Sequence, residues 1–324
     1  MRPNSSAIGL LALCGVLATS IIVPLSQPHA RIEPSPPERS SFDYLPLSAS
    51  GTTLLERKGI NVLAIHTRSA EELDALFQDL DFKWPFDASV EIPPLEVTAL
   101  PLDLDQLDVR KKKSVFFRTL LPLVAMENRI IREQRDFIKQ AFRDGPLAPD
   151  SKVAAAIEDI AKHYRVTGDL NSRLFRESLM RRVDVVPAGL VLAQAANESG
   201  WGTSRFAQNA NNLFGVWTYK RRAGMAPIDR DEGAKHAVRA YPSLRRAVRS
   251  YLFNINVGHA YQELRQLRAA MRQAGEPLDA HELAAGLVRY SSRGEAYVEE
   301  IRRLIRINKL NDMVNLRLTT ADKP

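Results

Sequence analysis

The run Pro187-Ala-Gly-Leu-Val-Leu-Ala-Gln-Ala-Ala-Asn-Glu-Ser-Gly200 constrains this chain more than any other, because it is almost wholly apolar and ends on an acid. Proline suits a first helical turn, where a missing N–H is not needed, and glycine suits the left-handed residue that closes a helix. The bracketing predicts a helix over Pro187–Ser199. On a 3.6-residue period Val191, Ala195 and Glu198 share a face, so the acid continues a stripe built for burial. A carboxyl so placed resists ionising. The negative end of the helix dipole adds to that resistance, and both raise its pKa toward that of a general acid working near neutrality. The alternative is a solvated glutamate on a C-terminal turn. Its neighbours argue for chemistry: Trp201 can offer a flat face to a sugar ring, and Asn209, Asn211 and Asn212 supply amides for hydroxyl and acetamido groups.

Composition narrows the class. The chain has 324 residues, 45% of them hydrophobic, enough for one large domain with extensions or two smaller ones. Its net charge of +7 favours acidic partners such as nucleic acid, anionic lipid or the carboxylates of a cell wall. With no zinc-ligand spacing, helix-turn-helix pattern or basic-aromatic motif, nucleic acid is not expected as a partner, and neither a metal nor an organic cofactor is expected.

The stretch Ala193–Trp217, AQAANESGWGTSRFAQNANNLFGVW, resembles the signature of the bacterial glucosaminidase-domain family, the endo-β-N-acetylglucosaminidases of flagellar-rod and autolysin type. The resemblance extends over about 151–310. It implies a mainly α, lysozyme-like helical domain with a small β-hairpin that cuts the glycan strands of peptidoglycan, with Glu198 as catalytic acid. It also makes Trp201, Asn211, Asn212, Phe214 and Tyr290 candidates for holding the glycan. Tyr290 matches the aromatic residue that lines the family's cleft, although Arg289 stands where the family often has glycine. Family members carry a second carboxylate on the hairpin, before an Arg-x-Tyr element like Arg239-Ala-Tyr241; the hairpin is shorter here, so Asp229, Asp231 and Glu232 are all candidates.

Taken in order, residues 1–30 read as a signal peptide or signal anchor, with Arg2 ahead of a mostly apolar run from Ala7 to Val23. Cleavage would release a periplasmic protein, and an uncleaved segment would tether the same domain to the inner membrane. Cys14 is the single cysteine, and without it the exported portion has none, so disulfides are excluded; Leu13 before it is too bulky for a lipidation signal. Residues 31–113 form a linker and an accessory region. Within it a strand around Gly59–Thr67 precedes a helix that Ser69 opens and that runs through Leu80, either as a small βα unit or as an irregular extension. His66 in that strand reads as structural, since no partner cluster accompanies it. The basic run Arg110–Lys113 marks a boundary.

Residues 114–150 read as a helical lead-in, with a long helix over Val115–Phe142 containing Pro122, and 151–312 as the glucosaminidase-like domain. Asp150 or Ser151 caps a helix to His163, and Asn171 caps one through Arg182. Strands at Val216–Tyr219 and Ala234–Ala240 form the hairpin. Helices are expected at Ser243–Val257, Tyr261–Ala274, Asp279–Tyr290 and Glu295–Ile307, before a tail at 313–324. Tyr297 falls on an apolar face with Ile301 and Ile305 and reads as packing.

Beside the resemblance, three readings remain open. The first is glycoside hydrolysis after N-acetylglucosamine. A muramidase or lytic transglycosylase would share the fold and a single catalytic glutamate. A non-catalytic wall-binding scaffold would keep the cleft but has no need of a carboxyl on the apolar stripe.

Overall fold

A computed structural model describes residues 62–67, 69–86, 91–218, 224–225, 237–313 and 317–319. Residues 1–61, on which the expected signal segment and linker fall, lie outside them. The described chain is mainly helical, as expected, with few and short strands.

The accessory region is a βαβ unit. Strand β1 (Leu63–Ile65) leads through helix α1 (Ala70–Asp79) and a two-residue strand β2 (Glu91–Ile92) to β3 (Leu95–Val97), which pairs with β1 in parallel, Leu63 opposite Leu95. Ser69 caps α1 by accepting from the Glu72 amide. His66 is exposed, and its Nδ1 lies 3.1 Å from the Thr98 hydroxyl across the pair. Leu73, Phe77 and Phe82 are buried in the same hydrophobic core as the helices that follow. Arg118 binds Asp74 in a buried ion pair, fastening the unit to the next helix.

That helix, α2 (Val109–Ala141), runs 33 residues with Pro122 inside it. It starts earlier than expected, so the basic run Arg110–Lys113 lies within its first turns. Positive charge there opposes the helix dipole, and Asp108 offsets it by accepting from the amides of Arg110 and Lys111. Two short helices follow, α3 (Lys152–His163) and α4 (Arg173–Arg182). Ser151 caps the first. Ser172, not Asn171, caps the second, because the Asn171 amide is engaged with both backbone groups of Leu147.

Helix α5 (Ala188–Ser199) is the centre of the molecule, and α2 packs along it. Leu190 to Ala195 are wholly buried, which an apolar sequence without a polar face requires. Gly200 closes it at φ 57°, ψ 46°, the left-handed cap expected from the sequence. After α6 (Arg205–Ala210) come β4 (Trp217–Thr218), β5 (Gly224–Met225) and β6 (Ala237–Arg239). The expected two-stranded hairpin is a three-stranded antiparallel sheet with β6 in the middle.

Helices α7 (Leu244–Val257) and α8 (Gln262–Ala274) follow the expected limits within a residue or so. The single helix expected over Asp279–Tyr290 is instead one α turn, α9 (Ala280–Leu283), then a 3-10 turn at Ala284–Leu287. Gly286 lies there directly on the backbone of Leu264, where a Cβ would stand 2.3 Å from the Leu264 Cα. Leu283 and Leu287 are core residues, as read. Helix α10 (Glu295–Ile307) has the expected limits and packs on α5. Strand β7 (Arg317–Leu318) returns from the tail to pair in parallel with β2.

Candidate active site

Glu198 occupies the last turn of α5. Unlike Val191 and Ala195 on the same stripe, which are fully buried, it is only partly covered, so its carboxyl borders both core and solvent. Burial pushes its pKa up, and a hydrogen bond from Tyr297 partly opposes that shift. The residue therefore holds its proton to higher pH than a solvated glutamate, the property a general acid needs.

Its two oxygens have different surroundings. Oε1 accepts from the Tyr297 hydroxyl at 2.8 Å. Oε2 lies toward Gly215, which takes φ 61°; a Cβ added there would stand 3.2 Å from Oε2. The glycine of the Asn-Asn-Leu-Phe-Gly element thus leaves room at one oxygen while a phenol holds the other.

Behind Tyr297 runs a buried series of polar groups. The Tyr251 hydroxyl donates to Gln194 Oε1, and Gln194 Nε2 donates to the Tyr297 hydroxyl at 3.0 Å. Gln194 lies one turn before Glu198 on α5, Tyr251 on α7 and Tyr297 on α10, so three helices converge on the acid. Aromatic rings enclose the series: Tyr297 stacks on Tyr290 at 5.2 Å and 10°, and Phe214 on Tyr251 at 4.1 Å and 16°. The Tyr290 hydroxyl donates to the Phe214 carbonyl at 2.8 Å, tying the 211–215 loop to the turn before α10.

Tyr297 was expected to be a packing residue. It is buried as such, but its hydroxyl bonds the acid. A phenol on an otherwise apolar helix stripe needs a partner for its O–H, and that need was the signal available in the sequence. Gln194, an amide inside an apolar helix, carries the same signal.

The other expected site residues are distributed differently. Asn212 is 2% exposed, and its amide serves the backbone: Nδ2 donates to Val216 and Arg239 carbonyls, and Oδ1 accepts from the Val216 amide. With its polar atoms so engaged it shapes the loop and has no group to offer a sugar, a correction to its expected role. Asn211 ends α6 in the left-handed conformation and donates to the Tyr241 carbonyl. Phe214 is 3% exposed and supports the Tyr251 ring from inside. Tyr290 keeps partial exposure beside Tyr297. Trp201 packs edge-on against Phe117 and Phe116 at 5.3 and 6.0 Å, with Lys113 Nζ 4.7 Å over its ring, so one of its faces meets a cation. Asp229, Asp231 and Glu232 lie outside the described residues. Among the described residues there is no cluster of His, Cys, Asp and Glu fit to hold a metal ion.

The approach to α5 is set by charge. Asp184, 2% exposed, receives both forks of Arg272 at 3.0 and 3.1 Å, with Arg135 at 3.5 Å and Arg268 at 3.9 Å. Despite burial, these arginines hold its carboxyl below the usual range. The cluster joins α2 and α8 to the turn that starts α5.

Comparison with known proteins gives two findings. Residues 176–310 match the glucosaminidase family model, described as mannosyl-glycoprotein endo-beta-N-acetylglucosaminidase. The chain is 34% identical over 187 residues to Protein bax of Escherichia coli (strain K12), a match covering 57% of this chain and 66% of that protein. No solved structure matches the chain.

Proposed function

We propose that the chain, whose residues 176–310 match the glucosaminidase family model, hydrolyses the β-1,4 glycosidic bond after N-acetylglucosamine in peptidoglycan. The observation that carries this reading is the Glu198 carboxyl, with a pKa raised by burial, one oxygen held by Tyr297 and the other left room by Gly215. Tyr297 occupies Oε1 as a donor, so the acid's proton belongs on Oε2. From there it passes to the bridging oxygen as the C1–O bond breaks and positive charge develops on the sugar ring. Water then adds to C1, leaving a new reducing end, and the proton that water gives up balances the one lost by Glu198, returning to it directly or by way of a second group.

A second group must activate the water or shield the cation. Asp229, Asp231 and Glu232 are the carboxylates proposed for it. In a closed site a separation from Glu198 of about 5–5.5 Å supports a nucleophile and retention, and about 6.5–9.5 Å supports a base and inversion. Attack by the substrate's own acetamido oxygen is the third route and leaves all three dispensable. Replacing each by alanine distinguishes them: one large loss of rate identifies the partner, and three mild losses support the acetamido route.

The bond itself is tested by digesting sacculi with the full chain, reducing the products with borohydride and reading the ends by mass spectrometry. Reduced N-acetylglucosamine is expected. Reduced muramic acid ends would replace the proposal with a muramidase, and anhydro-muramic ends with a lytic transglycosylase. Binding without release would replace it with a scaffold. The basic-then-apolar start of the chain supports export, with the domain facing the periplasm, released or held at the inner membrane by an uncleaved segment. Recovery of the intact chain from the cytosol on fractionation would refute that.

A further inference from the structure

The buried series that ends on Glu198 has a direction. A glutamine amide is asymmetric: its oxygen only accepts and its nitrogen only donates, whereas a tyrosine hydroxyl can do either. With Tyr251 donating to Oε1, the Gln194 nitrogen must face Tyr297, and the Tyr297 hydroxyl, already accepting, sends its own proton to Glu198. Turning the amide over would reverse every bond. Tyr297 would then donate to Gln194, and Glu198 would have to hold its proton on Oε1, against Tyr297 and away from the open side at Gly215.

We propose that Tyr251 and Gln194 are positioning residues that fix this direction, so that the proton of Glu198 is kept on the oxygen facing the substrate. The inference rests on Glu198 as the acid. The selecting group is Tyr251. Tyr251 and Tyr297 are each 2% exposed and Gln194 is 0% exposed, so water does not substitute freely for a missing partner. If the amide turned, the Tyr251 proton would lose its acceptor in the core, and an unpartnered buried donor is costly. The ring is itself held by stacking on Phe214, so it cannot swing to seek another. Tyr251, Tyr261, Tyr290 and Tyr297 all hold their protons above the ordinary phenol range, mainly through burial, so each remains a donor on the alkaline side of neutrality as well.

The test uses Tyr251→Phe in the full chain. Phenylalanine keeps the stack and removes the proton that selects the amide's orientation. With the amide free to turn, the Tyr297 proton is drawn toward Gln194 and Glu198 loses a donor that favours its ionised form. The account expects kcat to fall about tenfold with KM within about twofold, and the alkaline limb of activity to move up by about one pH unit. The Glu198 carboxyl, followed by ¹³C NMR in glutamate-labelled protein and identified by its absence in Glu198→Gln, should titrate higher by the same amount. This second readout needs no turnover. A fall in kcat with an unmoved limb and an unmoved carboxyl titration in a folded Tyr251→Phe protein would overturn the proposal and leave a packing role. If wild type releases no fragments, the general-acid reading fails on its own, while the carboxyl titration still decides whether the relay exists.

Discussion

Gly215→Ala separates strain in the backbone from crowding at the acid. Gly215 sits at φ 61°, and a new Cβ would stand 3.2 Å from Glu198 Oε2. The left-handed conformation costs an alanine about 1–2 kcal/mol. For a domain of this size that is a fall in Tm of about 2–8 °C. The methyl also obliges the Glu198 carboxyl to give by a few tenths of an ångström. A misplacement of about 1 Å can cost a catalytic site about 10²-fold, so a shift of that smaller size should lower kcat about three- to tenfold. Gly275→Ala supplies the control, because Gly275 takes φ 72° at the end of α8 with nothing within 4 Å of its added Cβ. The two variants should lose similar stability, and only the first should lose kcat. Dye release from labelled sacculi gives the rate and a thermal melt gives the stability. Equal kcat in Gly215→Ala and Gly275→Ala, at equal Tm loss, would refute the claim that Oε2 faces Gly215 as the working oxygen.

Asp184→Asn should destabilise by about 3–5 kcal/mol, since it leaves Arg268 buried without its carboxylate and removes the partner of Arg272 and Arg135. The folded pKa of Asp184 lies below its ordinary value, so its contribution is present above the unfolded pKa and lost as pH falls through the folded one. Acid melts should therefore converge: the gap between wild type and Asp184→Asn seen at pH 7 should shrink below about pH 4, and a constant gap would contradict the ion-pair account. Tyr297→Phe removes the bond that holds Glu198 Oε1 and partly lowers its pKa, so the alkaline limb should move up by about one unit as kcat drops; a limb that moves down would reverse the assigned roles.

Local chemistry made much of this fold readable. Gly200 closes α5 as its conformational freedom requires, and Ser69, Ser151 and Ser243 cap the helices they precede. Periodicity carried α10 to its observed limits because its apolar stripe, with Ile301 and Ile305, continues unbroken. It failed at Asp279–Tyr290, where the backbone turns to let Gly286 lie against Leu264, a contact 22 positions away in sequence that no local pattern encodes. The pairings of β1 with β3 and of β2 with β7 are likewise non-local. Glu198 stood out as a candidate because an ionisable residue on an apolar stripe contradicts its surroundings. The asparagines misled for a related reason: their amides were matched to sugar hydroxyls, yet in Asn212 they satisfy peptide groups of the loop itself, the nearer competitor for the same bonds. Tyr297 shows the converse, since its ring packs as the stripe demands while its hydroxyl reaches the acid.

The central claim is that Glu198 donates the proton that breaks the glycan, and Glu198→Gln tests it most directly. Glutamine retains the shape of glutamate and can still accept from Tyr297 but has no acidic proton. Because burial raises the folded pKa of Glu198, the acid's contribution to stability is lost as pH rises through that value, so at pH 8 the variant should melt no lower than wild type. Dye release from sacculi should fall by about 10²–10⁴, binding should persist, and the alkaline limb should be missing from whatever activity remains. A Glu198→Gln protein that digests sacculi at the wild-type rate would show that Glu198 is not the acid.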